Sequence, residues 1–269
     1  MTGRRPAERA GEPAAGEPLL RRFVRIFEAF TEKDTVLSVS EIARRSGLHL
    51  ATASRLIGQL VDEGLLARDG DGGVQIGLRI WELAARAQPA LSLRDAALPF
   101  MQVLHAGIAQ HTQLGVLDGN EVVFLERLSS PGATVNFTRV ATRLPLTLSS
   151  SGLVLLAHGG SELLAQVLAQ PLPARTAHSI ADPQKLRSFL DNVRREGYAF
   201  CPGFLHEDTT GMAAPLRNRA GHVVGALSIV VPNDHRARSA LRPLLESAHQ
   251  ASAVLSASPA RPRPNQEQS

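Results

Sequence analysis

The sequence has a single cysteine, Cys201, among 269 residues, which excludes any intramolecular disulfide. It has no apolar run approaching the roughly 18 residues of a membrane span, and it opens on no arginine-led apolar stretch with a small-residue cleavage site. A cytoplasmic protein with no membrane partner is therefore the expectation. Informative charge is also missing. The net charge of +4 is compatible with nucleic acid, yet residues 1–90 carry thirteen Arg and Lys against twelve Asp and Glu. Counterion release follows the phosphates contacted and not the total charge, so any DNA contact has to come from local placement. No internal repeat is visible.

Hydrophobic residues make up 43% and charged residues 20%, close to globular averages, and the length suits two domains. Residues 1–18 and 258–269 are polar and rich in proline, poor in bulky apolar side chains, and read as a disordered arm and tail. Between them, Leu20, Phe23, Val24, Phe27 and Phe30 recur at helical spacing. Ser40 is placed to cap a short helix that ends at Gly47. From Ala51 to Glu63, the positions Ala53, Leu56, Ile57, Leu60 and Val61 form one apolar face. A strand at Leu65–Arg68, a turn at Asp69–Gly73 and the alternating Val74, Ile76 and Leu78 make a hairpin. Three helices and a hairpin over 19–78 describe a winged helix-turn-helix. A linker helix, Ile80–Ala87, broken by Pro89, occupies 79–92. Over 93–257 hairpin turns at Asp118–Asn120 and Asn218–Gly221, with helices starting at Asp182–Pro183 and near Ser239, predict an antiparallel sheet flanked by helices. The fold class is α+β.

Two short helices joined by a tight turn let the second enter a DNA major groove. Its first turns carry Thr52, Ser54 and Arg55. Arginine can take guanine bidentately, and threonine can meet a thymine methyl or a phosphate. Arg44 and Arg45 stand where backbone contacts fall, and Arg68 at the foot of the hairpin can reach a phosphate. The alternatives are arginines that merely solvate a helix face, and a winged helix that docks protein.

With Val39–Ala43, Gly47–Leu48, Thr52, Arg55–Leu56 and Ile76–Arg79, and further on Arg143–Leu146, Ser151–Gly152, Leu155–Ala157, Gly197–Tyr198, Ala213–Arg217 and Gly221–Val224, residues 19–255 resemble the isocitrate lyase regulator (IclR) type of bacterial transcriptional regulator. The resemblance implies a GAF-like effector-binding domain, a dimer or dimer of dimers, palindromic operator DNA, no cofactor and a small organic-acid effector. Carried over by position, it places the effector at Asn136, Leu144, Ser150, Ser151, Cys201, Thr209, Gly211, Ser228 and Val230. Cys201 stands where a carboxylate is common, Gly211 where a cysteine is common, and Val230 where a second serine occurs. A less polar, roomier pocket follows, suited to an aromatic or partly apolar acid.

Ser149–Gly152 has three readings: helix entry through hydroxyl capping, an anion site at helix N–H groups, or a serine nucleophile. His206–Asp208 reads as solvated loop charge, since consecutive loop residues point apart and do not make a metal site. Cys201 has no resolving cysteine and reads as a passive small side chain. Two other functions stay open: a DNA-binding protein whose second domain only oligomerises, and a small-molecule enzyme carrying a docking module. The second needs an acid–base or nucleophile constellation, and none is legible.

Overall fold

The structure, a computed structural model, describes residues 17–31, 33–86, 88–136 and 138–257, with backbone alone at 88 and 89. Most of the expected arm and all of the expected tail lie outside these residues. The chain divides into two compact units, Met1–Gln88 and Pro89–Ser269.

The first unit holds α1 (Leu19–Glu28), β1 (Val36–Leu37), α2 (Val39–Ser46), α3 (Leu50–Asp62), β2 (Leu66–Arg68), β3 (Val74–Ile76) and α4 (Leu78–Ala84). Ile26, Ile42, Leu56, Ile57, Leu66 and Val74 form its buried centre. Three details differ from the sequence reading. The α2 cap is Ser38, not Ser40: its extended backbone lets Oγ accept from Glu41 N–H at 3.2 Å, while Ser40 already lies in the helix. The buried stripe of α1 centres on Ile26 with Phe23, Phe27 and Phe30. At about 100° per residue, Leu20 and Val24 fall to one side of it, and they are 76% and 53% exposed. The strand β1, too short to show a periodicity, pairs antiparallel with β3 and gives the wing a third strand, in the order β1-β3-β2. Gly47 ends α2 in the left-handed conformation, φ 63°, as its position suggested.

The second unit begins with α5 (Gln88–Ile108). The linker helix expected over Ile80–Ala87 is instead the earlier α4, and Pro89 opens a helix rather than breaking one. In a first turn proline has no preceding carbonyl to clash with and no N–H to lose. There follow β4 (His111–Asp118), β5 (Glu121–Ser129), β6 (Arg143–Pro145), a 3-10 turn (Leu146–Leu148), α6 (Ser150–His158), α7 (Gly160–Leu168), α8 (Pro183–Glu196), β7 (Ala199–Pro202), β8 (Thr209–Arg217), β9 (Val223–Pro232), a second 3-10 turn (Ala237–Ala240) and α9 (Leu241–Ala257). The six strands pair antiparallel in the order β6-β5-β4-β9-β8-β7.

Period-two alternation sends successive side chains to opposite faces of this sheet. Met212, Ala214 and Leu216 of β8 and Leu227, Ile229 and Val231 of β9 pack with Leu93, Ala97 and Met101 of α5 and Leu244 and Ala248 of α9. On the other face, Ala213, Ala226, Phe124 and Cys201 meet α6 and the Leu186, Leu190 and Val193 edge of α8. Asp182 caps α8 by accepting from Lys185 N–H at 2.8 Å. Every residue of α6 from Ser150 to Ala157 is buried.

Gly152 is what lets α6 sit so close. A Cβ there would lie 2.3 Å from the Leu146 carbonyl oxygen. Gly152→Ala therefore separates two opposing effects. Helix propensity favours alanine by about 1 kcal/mol, whereas overpacking a filled site costs about 1–3 kcal/mol. Because the obstacle is backbone, the clash should win. Thermal denaturation should show a lower Tm for this variant, and an equal or higher Tm would contradict the close approach.

Candidate effector cavity and DNA-facing helix

In the first unit, Ser54 and Arg55 are exposed on α3 and Thr52 is half-buried, while Arg68 is exposed at the end of β2. Among the described residues neither Arg55 nor Arg68 has a hydrogen-bond or ion-pair partner, so both guanidinium groups are available. Arg44 and Arg45 are differently placed. Both bind Glu41, at 2.5 and 2.6 Å, and these contacts hold its carboxyl down at about 2. Arg45 also donates to Asp34 Oδ2 and to the Ala29 carbonyl, tying α2 to the end of α1. Its guanidinium is occupied by structure. The α3 helix starts at His49 with no side-chain cap, which leaves first-turn amides without a side-chain acceptor, an arrangement suited to a phosphate.

In the second unit, a small cavity of about 40 Å³ opens between the N-terminus of α6 and the sheet. Its floor is one transverse row. Cys201 pairs with Gly211, and Gly211 with Val230, so side chains from β7, β8 and β9 stand in line on one face. Above the row sit Ser149, Ser150 and Ser151, and the walls are Phe124, Leu148, Phe204 and Leu205 with Val135 and Asn136. A Cβ on Gly211 would come within 3.1 Å of Ser150 Oγ, so the glycine keeps the middle of the floor open.

The polar groups are mostly satisfied internally. Ser149 Oγ accepts from Gly152 N–H at 3.0 Å and is the cap of α6. Ser151 donates to Ser228 Oγ at 2.8 Å, and both are buried. Asn136 Oδ1 accepts from the backbone and hydroxyl of Thr138 at 3.0 and 2.8 Å, but its Nδ2 is buried with no protein partner. A buried donor left unpaired costs about 1–3 kcal/mol, and an acceptor on a ligand would relieve that. Among the described residues, no arginine or lysine lines the cavity. An acid held here would meet amides, hydroxyls and Asn136, with apolar surface around its body.

Residues 86–257 match the family described as the C-terminal domain of the bacterial transcriptional regulator IclR, and residues 19–70 match the IclR helix-turn-helix domain. The chain belongs to the IclR family. It is a transcriptional regulator with a helix-turn-helix DNA-binding domain followed by an α+β effector domain. A crystal structure of an IclR homolog from Microbacterium hydrocarbonoxydans, complexed with 4-hydroxybenzoate, is 44% identical, with a TM-score of 0.81 over 88% of this chain and 98% of that one. An IclR homolog from Microbacterium sp. strain HM58-2 is 41% identical, with a TM-score of 0.60 over 91% and 100% of the two chains. Among curated proteins, the HTH-type transcriptional regulator XynR of Escherichia coli is 27% identical over 212 residues, 78% of this chain and 84% of its own length.

Within this IclR-family fold, seven of the nine positions expected to meet an effector line the cavity: Asn136, Ser150, Ser151, Cys201, Thr209, Gly211 and Val230. Leu144 does not; it pairs with Val122 and packs on the core beside α6. Ser228 lies beneath Ser151 as its hydrogen-bond acceptor. Gln113, Phe124, Val135, Thr138, Leu148, Ser149, Phe204, Leu205 and His206 also line the cavity. For Gln113 and Phe124 a signal existed: they lie on hairpin strands whose register would have turned them to the Val230 face. The His206–Asp208 loop folds on itself, Asp208 N–H donating to His206 Nδ1 at 3.3 Å.

Full burial pushes the Cys201 thiol well above its ordinary range, because a thiolate there would be desolvated. The native protein should therefore resist Ellman's reagent at pH 8, and one thiol should appear on denaturation. Stoichiometric reaction of the native state within minutes would contradict the buried floor.

Proposed function

We propose that this regulator reads operator DNA with α3 and that a small aromatic acid in the α6 cavity changes its operator affinity. Residues 19–78 serve as the DNA-binding domain, 79–92 as the linker and 93–257 as the effector domain. The observation that carries the ligand reading is the cavity itself: an apolar chamber floored by Cys201, Gly211 and Val230, with an unpaired Asn136 donor and hydroxyls at its polar end. A flat ring suits the apolar walls, and acceptor oxygens suit the donors. 4-Hydroxybenzoate, which the 44%-identical homolog holds, has both and is the probe of choice. Arg55 and Thr52 are the base-reading candidates with Ser54 beside them, and Arg68 is the phosphate contact. Arg44 and Arg45 approach DNA chiefly through their effect on local potential, since their guanidiniums are shared with Glu41.

Homo-oligomerisation is part of the proposal. On α4, Leu78 and Trp81 are 72% and 68% exposed, more apolar surface than a short solvent-facing helix carries without a partner. Work on operator DNA places the protein in the cytoplasm. Turnover of the ligand is not part of the reading: Ser151 pairs with another hydroxyl rather than with a base, and the curated relative is named as a regulator.

Two variants test the division of labour. Arg55→Ala should weaken operator binding in gel-shift titrations by about tenfold, the loss of one bidentate base contact, while calorimetry finds 4-hydroxybenzoate binding unchanged. Gly211→Leu should do the reverse, filling the floor and weakening the acid about tenfold or more with operator affinity intact. If Arg55→Ala left operator affinity unchanged, or Gly211→Leu left acid affinity unchanged, the corresponding assignment would fail.

A further inference from the structure

A buried polar group that the effector reading does not use stands at the edge of the cavity. His111 of β4 is 4% exposed and continues the floor row, pairing with Val230 on one side and Ser129 on the other. Its hydrogen bonds fix its tautomer. Nε2 lies 2.7 Å from the Thr134 carbonyl, which can only accept, so Nε2 carries the proton. Nδ1 then accepts from the Ser129 hydroxyl at 2.9 Å, while Ser129 Oγ accepts from Arg127 Nε at 2.8 Å. The neutral ring satisfies every partner, and burial together with the Arg127 charge lowers its basicity in agreement.

The residues tied this way form part of the cavity wall. Thr134 is held twice, its carbonyl by His111 and its N–H by Gln110 Oε1 at 2.9 Å. Val135 and Asn136, next in the chain, line the cavity. Beyond them Thr138 is held by Gln113 Nε2 and by Arg127, through its hydroxyl and carbonyl respectively. Of these anchors His111 is the one buried in the sheet that does not itself line the chamber.

We propose that His111 is a positioning residue of the effector site: by donating to the Thr134 carbonyl it holds Val135 and Asn136 at the wall, so that the unpaired Asn136 amide is presented to the ligand before the ligand arrives. The proposal rests on the reading that this cavity holds the effector. Its energetic basis is preorganisation, since a wall already ordered does not charge its ordering entropy to binding.

The test uses the full chain, with amide exchange followed by mass spectrometry and calorimetry with 4-hydroxybenzoate. His111→Leu removes both ring nitrogens, while His111→Gln keeps a donor near the Nε2 position. In His111→Leu, exchange across residues 133–138 should rise and 4-hydroxybenzoate affinity should fall, each by about tenfold, the scale of one buried hydrogen bond. Protection of β4 and β9 should be retained, and His111→Gln should restore both readouts. Unchanged exchange at 133–138, or a loss spread equally over β4 and β9, would overturn the proposal, because the second is what a merely structural core residue gives. If His111→Leu fails to fold, Gln110→Ala removes the other Thr134 tie from a half-exposed position. Faster exchange and weaker binding in that variant support the strap, and no change in either overturns it. A wild-type chain that does not bind 4-hydroxybenzoate defeats the choice of ligand alone, and the exchange measurement on the free protein still decides the role of His111.

Discussion

A helix buried along all but its last residue is the constraint on which the effector domain depends. From Ser150 to Ala157 every residue of α6 is inaccessible, so neither side of the helix can tolerate a misplaced polar group or an added methyl. The sequence meets this with Gly152, whose missing Cβ admits the Leu146 carbonyl, with Ser149 capping the first turn, and with the Ser151–Ser228 hydrogen bond joining helix to sheet. At the far end, Arg194 donates to the Ala157 carbonyl, and His158 accepts from Arg217. A helix gripped at both ends and along its middle cannot slide. The cavity at its N-terminus is therefore a fixed feature of the packing.

That fixity explains why the chemistry of the cavity is set by small differences on its floor. The row Cys201, Gly211, Val230 carries no charge and little bulk. Above it lies the first turn of a helix, whose Ser149 and Ser151 hydroxyls already have partners, and beside it stands Asn136, whose Nδ2 has none. Specificity in such a site comes from a few donors placed in an apolar enclosure, where leaving one unpaired is costly. The strap through His111 belongs to the same logic, because a donor is useful for recognition only if its position is held. In the first unit Arg45 is used up in bracing α2 against the end of α1, whereas Arg55 on α3 has no partner among the described residues.

Much of this was legible in the sequence because it rests on local rules. The apolar face of α3, the Gly47 helix end and the Asp182 cap are each specified by residues within a few positions of one another. The residues misread are those whose role depends on something distant. Ser40 suits a cap by residue type, but Ser38 holds the extended conformation that a cap needs; Leu20 keeps the helical spacing, but Ile26 sets the buried stripe. Pro89 looked like a break because its place in a first turn depends on where the helix begins. For the cavity, resemblance supplied the floor, whereas Phe204, Leu205 and Val135 arrive on loops whose course no periodicity encodes. Leu144 and Ser228 lie outside the cavity lining, since position along a strand does not say whether another side chain stands in front.

The central claim is that one chain links an acid bound under α6 to DNA bound by α3. Linkage is reciprocal: if the acid changes operator affinity by some factor, the operator must change acid affinity by the same factor. The decisive measurement is therefore a closed cycle. Dissociation constants are determined for 4-hydroxybenzoate with and without a saturating operator duplex selected from random sequence, and for that duplex with and without saturating 4-hydroxybenzoate. The account predicts the same shift around both arms, on the order of tenfold. Four constants showing no shift in either arm would contradict it.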